Sequence, residues 1–456
     1  MALDVSRARI PGGASGLVAW ILVGAVALAH YVIVWKCAVN VPYWDEWEAF
    51  GGVERLPDQL SWDWLLTQHN EHRILFTRLQ TWLLFKFNGW DIATQIRMNF
   101  VIFLGMVGCL TWMVHRAVPA APQWFLALCF LSQITDLAAE NHVWGFQSQF
   151  HITLLGLMVS VSLLFCREIS WRRVGAGLSV LLLSIYSFSA GLAGSAALVV
   201  AFVGYRALLW RDARATTLAR ECALIGVVVC VWAVAVYVYL RDHGRNGPAL
   251  MLPNELSFWD FFAQVISLGF GFSRVVSLPS IVCFTLVVGT VLHFCWLMVR
   301  RRASFEYSDG FVRLLALALV VLAALASISA GRARMGLGLA KSSRYAEIAS
   351  ILVPCVVSLW FGGASVKRRV SLAMAIVLMT LSAYGMRNNF RFVSDYPAVM
   401  KQREAGLRCV RRTLEGRHDR GVCPGLYPMP IEDRILYAES RGASFIDAAW
   451  DTKNRR

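Results

Sequence analysis

Long apolar runs recur from one end of this chain to the other, and they constrain its fold more than any other feature. Most extend over roughly 17 to 23 residues, enough for a helix to cross a bilayer. Hydrophobic residues make up 57% of the sequence and charged residues 16%, whereas a soluble domain is about a quarter charged. Because lipid offers no partner for open backbone groups, such spans must be helical. The sequence therefore predicts an all-α polytopic membrane protein.

Eleven transmembrane helices are predicted, with a small external module after them. They lie at residues 16–36, 98–114, 122–138, 150–166, 173–189, 191–207, 221–240, 276–298, 312–330, 345–362 and 370–386. Segment 256–273 is also apolar, but Asp260 and Gln264 favour an interfacial or re-entrant helix. Residues 1–386 thus form the transmembrane domain, and residues 387–456 form the module.

The distribution of basic residues predicts the orientation of the chain. Lys and Arg concentrate in cytoplasmic loops of membrane proteins, which accounts for the net charge of +15. With the N-terminus in the cytoplasm, the even-numbered turns are cytoplasmic, and they hold Arg116, Arg167, Arg172, Arg173, Arg206, Arg211, Arg214, Arg220, Arg300 to Arg302, Arg313 and Lys367 to Arg369. The C-terminus is then external, and no nucleic-acid-binding motif is present.

The first external loop, residues 37–97, is too polar to span and is rich in Trp. Its helical spacing of apolar residues predicts amphipathic helices on the membrane surface. Near its start, "VPYWDEWEAF" places Asp45 and Glu46 among aromatic residues. Carboxylates held there can accept a proton from a hydroxyl or bind a divalent cation. The alternative is a solvated entry to the loop, with the Trp residues forming an interfacial belt.

Later in the same loop, "QHNEHR" contributes six consecutive hydrogen-bonding side chains. We predict binding of a polar ligand by four of them, namely His69, Glu71, His72 and Arg73. A divalent cation such as Mg²⁺ or Mn²⁺ is an alternative, with Asp45, Glu46, His69 and His72 as its candidate ligands. The spacing does not match a zinc-hydrolase motif, and plain surface exposure is the third interpretation.

A second external turn, "ENHVWGFQSQFH" at 140–151, carries amides and an indole. Glu140, Trp144 and Gln147, with Gln149 nearby, suit a sugar ring, whose edge offers hydroxyls and whose face offers C–H groups. The alternative is a polar hairpin turn with interfacial aromatics.

Four cations lie in "GRARMGLGLAKSSRYAE", which the predicted topology places outside, against the usual charge bias. They are Arg332, Arg334, Lys341 and Arg344. Misplaced cations in membrane proteins tend to be functional, and Arg with nearby backbone N–H groups suits a phosphate. The alternative is contact with lipid headgroups. In the tail, Cys409 and Cys423 flank a charged stretch, and an external location permits a disulfide between them.

The span layout, the "WDEW" loop and the external tail resemble the GT-C superfamily of membrane glycosyltransferases, of the bacterial type. The resemblance implies a polyprenyl-phosphate sugar donor and an inverting transfer at the outer face of the inner (plasma) membrane. The acceptor would be a cell-envelope glycan, such as a polysaccharide, or a lipid. It also implies that an acid of the first loop, here Asp45 or Glu46, acts as catalytic base or metal ligand.

Two other functions remain open on the sequence. An O-antigen ligase or polymerase has a similar layout but uses lipid-pyrophosphate glycans. A flippase or transporter of lipid-linked sugars needs polar residues through the midplane, where these spans are mostly free of charge. All interpretations that involve transfer require the early acids and the late arginines to share one external pocket. We therefore expect Asp45 and Arg344 to lie together.

Overall fold

The computed structural model describes residues 14–210, 215–241, 249–300, 307–362, 366–387, 395–417 and 422–451. Within these ranges the chain forms α-helices and short 3-10 helices, without a strand longer than the isolated bridge between His69 and His72. Arg211, Arg214, Arg301 and Arg302 of the predicted basic turns lie outside the described residues. The all-α prediction is confirmed for the described part of the chain.

The helices, in chain order, are α1 (Ala14–Cys37), α2 (Trp62–Leu66), α3 (Leu75–Asn88), α4 (Ile92–Ala117), α5 (Gln123–Leu131), α6 (Ala139–His142), α7 (Ser148–Leu164), α8 (Trp171–Ile185), α9 (Ser189–Trp210), α10 (Ala215–Leu240), α11 (Leu256–Gly269), α12 (Ser277–Arg300), α13 (Asp309–Arg332), α14 (Ser343–Ser350), α15 (Leu352–Gly362), α16 (Arg368–Met386), α17 (Asp395–Leu414), α18 (Glu432–Ser440) and α19 (Ser444–Asp451). Side-chain caps begin several of them: Asp91 accepts from Ala93 N at α4, and Ser308 accepts from Phe311 N at α13. Gly89, at φ +64°, ends α3 in the left-handed conformation typical of a glycine C-cap.

Nine helical segments of the described chain are long and apolar enough to cross a membrane. They are Ser15–Cys37, Ile92–Ala117, Gly145–Leu164, Ser189–Leu209, Leu218–Leu240, Ser277–Arg300, Asp309–Met335, Ser343–Gly362 and Arg368–Met386. These segments correspond to nine of the eleven predicted spans, and they identify the chain as a multi-pass membrane protein.

The other two predicted spans, 122–138 and 173–189, are not continuous helices of span length. The first contains α5, of 9 residues, and the second contains α8, of 15 residues, whereas a span needs about 20. Each segment nevertheless runs antiparallel to a longer one. Ser160 Oγ donates to Gly177 O and Ser184 Oγ donates to Thr153 O, which aligns α8 with α7.

Segment 123–140 similarly follows α14 and α15 in the opposite direction. The rings of Phe125 and Phe361 lie 5.2 Å apart, Ser350 Oγ donates to Gln133 Oε1 at 2.9 Å, and Glu140 N donates to Ser343 Oγ. The shorter helices therefore still carry the chain from one end of the bundle to the other.

The bundle has two chemically different ends. At the basic end, Trp20 Nε1 of α1 donates to Gln123 Oε1 of α5, and Arg167 N, just before α8, donates to Asp309 Oδ1 of α13. Gly310 of α13 also packs against Arg116 near the end of α4. The opposite end holds the first loop and is called the loop end. Helix α11 does not cross from one end to the other, as predicted. Glu255, just before the helix, pairs with Arg334, and Gly271, just after it, packs against Met386. Both contacts lie at the loop end.

The C-terminal module, α17 to α19, packs on the first loop. Trp44 N donates to Leu426 O and Ser444 N donates to Gly89 O, both at 2.8 Å. Tyr396 of α17 reaches into the bundle, where its hydroxyl lies 2.7 Å from His30 Nε2 and 2.8 Å from His142 Nδ1. The predicted disulfide between Cys409 and Cys423 is present.

Candidate functional site

A cavity of about 280 Å³ opens at the loop end, where three parts of the sequence converge. Asp45, Glu71 and His72 contribute from the first loop, and Trp144, Gln147 and Gln149 from the turn before α7 and its first residues. Arg332 contributes from the end of α13 and Arg344 from the start of α14, and Phe150, Phe188 and Ile328 supply apolar walls. The expected proximity of the early acids and late arginines is therefore present, with Asp45 and Arg344 lining one cavity.

Asp45 is held at the cavity by a short 3-10 helix, Trp44–Phe50. The residue before it, Trp44, has φ +47°, a left-handed conformation that costs a bulky residue of order 1–3 kcal/mol. Leu426 of the C-terminal module fixes this turn by accepting the Trp44 N–H. The carboxylate of Asp45 remains about one-third exposed, so a ligand in the cavity has access to it.

A line of alternating charges extends from Asp45 into the loop. His69 Nε2 lies 3.7 Å from Asp45 Oδ2, and its Nδ1 lies 2.8 Å from Glu54 Oε2, which also accepts from Arg78 at 2.6 Å. Burial lowers the pKa of His69, but the hydrogen bonds and charges of Asp45 and Glu54 outweigh it and raise the pKa to about 9. His69 is therefore an imidazolium at neutral pH, held between the side chains of Asp45 and Glu54.

Glu46 does not line this cavity, and its predicted catalytic role is not supported by its position. The side chain is buried, with Oε2 accepting from Tyr43 N and Oε1 from Phe146 N, both at 2.8 Å. Burial raises the pKa of Glu46 to about 8, although Arg403 and the two backbone N–H groups oppose that shift. Glu46 thus connects the WDEW turn to the 145–147 turn through these two hydrogen bonds.

Both arginines in the described lining of the cavity are paired with an acid that the sequence analysis singled out. Arg332 forms an ion pair with Glu71, and Arg344 Nη2 lies 3.6 Å from Glu140 Oε1. Glu71 Oε1 also lies 3.4 Å from Nε2 of His72, whose ring packs on Phe188. These pairs hold the guanidinium groups at the rim of the cavity, where an anion can compete with the acids for them.

Three predicted ligand-binding cations are directed elsewhere. Arg73 is buried and donates to the carbonyls of Leu66, Tyr239 and Arg241. Lys341 Nζ donates to Gln264 O at 2.7 Å and to Ser267 Oγ at 2.6 Å, and burial lowers its pKa to about 7. Arg334 pairs with Glu255 at the surface. None of the three lines this cavity, so the structure does not bring them together with Asp45, and their binding of a ligand stays a prediction.

Two glutamines offer unused hydrogen-bond acceptors to the cavity. Gln147 and Gln149 are 1% and 4% exposed, and neither Oε1 atom has a hydrogen-bond partner in the described part of the molecule. A buried unsatisfied polar group costs about 1–3 kcal/mol, so a ligand that supplies hydroxyl donors recovers free energy here. Trp144 Nε1 donates to Tyr43 O, and this bond fixes the indole at the cavity wall.

The sequence did not single out three residues that support the site. Glu54 and Arg78 complete the charge line behind His69, and Tyr345 lines the cavity between the two arginines. For Arg78 a signal existed: it lies three residues after Leu75, on the buried face of α3. No comparable pattern marks Glu54.

The proposed metal ligands do not form a metal site. Both oxygens of Glu46 accept backbone N–H groups, and His69 is engaged by carboxylates on both sides. Throughout the described ranges, no group of three or more His, Cys, Asp or Glu side chains is arranged to hold a metal ion. Asp45, Glu46, His69 and His72 therefore do not fit a divalent cation in this arrangement.

Comparisons with protein-family models, curated proteins and solved structures find no match to this chain. Function must therefore be inferred from the cavity itself. It combines an accessible carboxylate, two arginines, two unsatisfied amide oxygens and an indole within about 280 Å³, a volume near the lower end of small-molecule sites.

Proposed function

We propose that this chain is an integral membrane glycosyltransferase. It would move a sugar from a polyprenyl-phosphate donor to a cell-envelope glycan or lipid acceptor, with inversion at the anomeric carbon. The observation that carries the proposal is the shared cavity of Asp45, Arg332 and Arg344. A base and two phosphate-binding groups in one pocket are the minimum that such a transfer requires.

The donor would bind with its phosphate between Arg332 and Arg344, displacing Glu71 and Glu140 from them. Bidentate arginine contacts suit phosphate oxygens in both geometry and charge. The sugar would then occupy the space beside Trp144, where the Oε1 atoms of Gln147 and Gln149 accept hydrogen bonds from its hydroxyls. Apolar residues Phe150, Phe188 and Ile328 would face the isoprenoid chain.

In the transfer step, the acceptor hydroxyl oxygen attacks the anomeric carbon while its proton passes to Asp45. The bond from that carbon to the phosphate oxygen breaks, and its electron pair leaves on the lipid phosphate. Arg332 and Arg344 stabilise this developing charge. A single displacement places the acceptor on the opposite face of the sugar, which is why the transfer inverts the configuration.

Two observations support an external location for the cavity. The described residues of the basic turns gather at the opposite end of the bundle, which the positive-inside rule assigns to the cytoplasm. The Cys409–Cys423 disulfide belongs to the module that packs on the first loop, and disulfides persist in oxidising compartments such as the periplasm. We therefore propose that the loop end lies outside the inner membrane, with the N-terminus in the cytoplasm.

The decisive experiment compares Asp45→Asn with Asp63→Asn in membranes supplied with a radiolabelled polyprenyl-phosphate sugar. Asp63 belongs to the same loop but is exposed and does not line the cavity. Asp45→Asn should reduce transfer by about 100-fold or more, the usual contribution of a general base, while Asp63→Asn retains it.

Equal activity of the two variants would disprove the role of Asp45. Turnover of a lipid-pyrophosphate glycan alone would indicate the ligase class instead. Movement of the intact lipid-sugar across the bilayer, without release of polyprenyl phosphate, would indicate a transporter.

A further inference from the structure

A second cavity lies at the basic end, on the opposite side of the bundle from the candidate active site. It measures about 510 Å³ and is formed where the 118–122 turn meets the end of α15 and the start of α16. Its apolar walls include Trp124, Phe125, Trp360 and Phe361, and Arg368 and Ser371 are the polar residues among the described part of its lining. The proposed transfer reaction uses none of these groups.

The polar side of this cavity has an unmet hydrogen bond. Ser371 is 8% exposed, and its hydroxyl has no partner in the described part of the chain. Its backbone N–H donates to Lys367 O, but its hydroxyl can still both donate and accept a hydrogen bond. Arg368 lies three residues earlier on the same helix, hence on the same face. The two side chains can therefore contact one anion together.

The apolar side of the cavity is exposed at the surface of the helical bundle. The side chains of Trp124 and Leu372 are 53% and 48% exposed, and Phe361 is 39% exposed. Trp residues at the ends of transmembrane helices commonly lie at the level of the lipid headgroups. A ligand with one anionic group and one hydrocarbon chain would match both sides of the cavity.

Charge at this end favours an anionic ligand. Arg116, Arg167, Arg300 and Lys367 to Arg369 surround the same end of the bundle, and such basic clusters attract anionic lipid headgroups. We propose that the cavity binds an anionic phospholipid of the adjacent leaflet, with its phosphate on Arg368 and Ser371 and its acyl chain along Trp124 and Leu372.

Lipid-dependent thermal stability of the full-length protein in neutral detergent tests this proposal. Phosphatidylglycerol should raise the unfolding midpoint more than phosphatidylcholine does. Arg368→Gln and Ser371→Ala should each lose at least half of that difference. Arg369→Gln is the matched control, because Arg369 carries the same charge at the next position and does not line the cavity.

Native mass spectrometry of the same samples should show phosphatidylglycerol retained by the wild type and by Arg369→Gln. An equal response of Arg368→Gln and Arg369→Gln would overturn the site. An equal effect of the two lipids would overturn the anionic headgroup. If inorganic phosphate alone reproduces the shift, the ligand is a soluble anion and the lipid assignment is wrong.

Discussion

His69 and Asp45 form the contact on which the proposed base depends: the imidazole Nε2 lies 3.7 Å from Asp45 Oδ2. The other ring nitrogen, Nδ1, is held 2.8 Å from Glu54 Oε2. His69 is therefore fixed between two acids, and its ring cannot turn without breaking one of the two contacts. The charge state of His69 should therefore affect the stability of the loop and the proposed transfer.

The first prediction concerns that charge. The pKa of His69 is raised from 6.5 to about 9 in the folded chain, so its stabilising contribution is complete below pH 6.5 and is lost as pH rises through 9. The unfolding midpoint of the solubilised protein should fall over this interval, and His69→Gln should fall less steeply. Glu46, whose pKa is about 8, titrates in both proteins, so its effect on the unfolding midpoint is the same in the two curves. Parallel curves for the two proteins would contradict the assigned charge.

The second prediction concerns the cavity arginines. Arg332→Gln and Arg344→Gln should each raise the KM for the lipid-phosphate donor by about 10- to 100-fold, because a hydrogen bond to a charged group contributes about 1.5–3 kcal/mol. Arg334→Gln is the matched control. This substitution also removes an ion pair, the one with Glu255, but Arg334 lies outside the cavity. If all three variants bind donor equally well, the phosphate site is elsewhere.

The third prediction separates stability from activity. Gln147→Met and Gln149→Met replace buried, unsatisfied amide oxygens by apolar groups of similar length. The free energy of unfolding of the ligand-free protein should stay unchanged or rise by about 1 kcal/mol, while sugar transfer falls at least tenfold.

Gln80→Met provides the contrast for those two variants, because Gln80 Nε2 donates to Asn99 Oδ1 at 3.1 Å. Losing this bond should lower stability. If Gln147→Met and Gln149→Met destabilise the protein as much as Gln80→Met, the two amides are structural rather than ligand-binding.

The long spans could be predicted because apolar length alone determines them, and nine of the eleven segments fold as such helices. Segments 122–138 and 173–189 differ because composition does not report where a helix ends. In the first segment, α5 ends at Leu131, and the Ser350 hydroxyl then donates a hydrogen bond to the side chain of Gln133. That bond joins residues more than two hundred positions apart, which no local pattern reveals.

The candidate site was predictable in part from composition. Asp45 and Arg344 stood out because polar residues are rare in this chain, and they do meet in one cavity. Residue type does not show where a long side chain points, however. Arg73 and Lys341 have the right chemistry for a phosphate, but their donors are taken by backbone carbonyls of Tyr239 and Gln264. Glu46 is likewise occupied by backbone N–H groups.

The last prediction concerns the module that holds the WDEW turn. The chain has eleven cysteines, of which nine are free and two form the Cys409–Cys423 bond. Protein denatured without reductant should react with maleimide at nine sites, and at eleven after reduction. Reaction at eleven sites without reductant would contradict both the bond and the oxidising location that we propose.

Loss of this bond should destabilise the module. A disulfide that closes a loop of about 15 residues contributes about 3 kcal/mol, and these two cysteines are 14 positions apart. Cys409→Ala with Cys423→Ala should therefore lower the unfolding midpoint, with Cys222→Ala as a control at an exposed, unpaired thiol. Because Leu426 of the module accepts the Trp44 N–H, the double variant should also reduce transfer by displacing Asp45. Full activity in a destabilised double variant would show that the WDEW turn holds its conformation without the module.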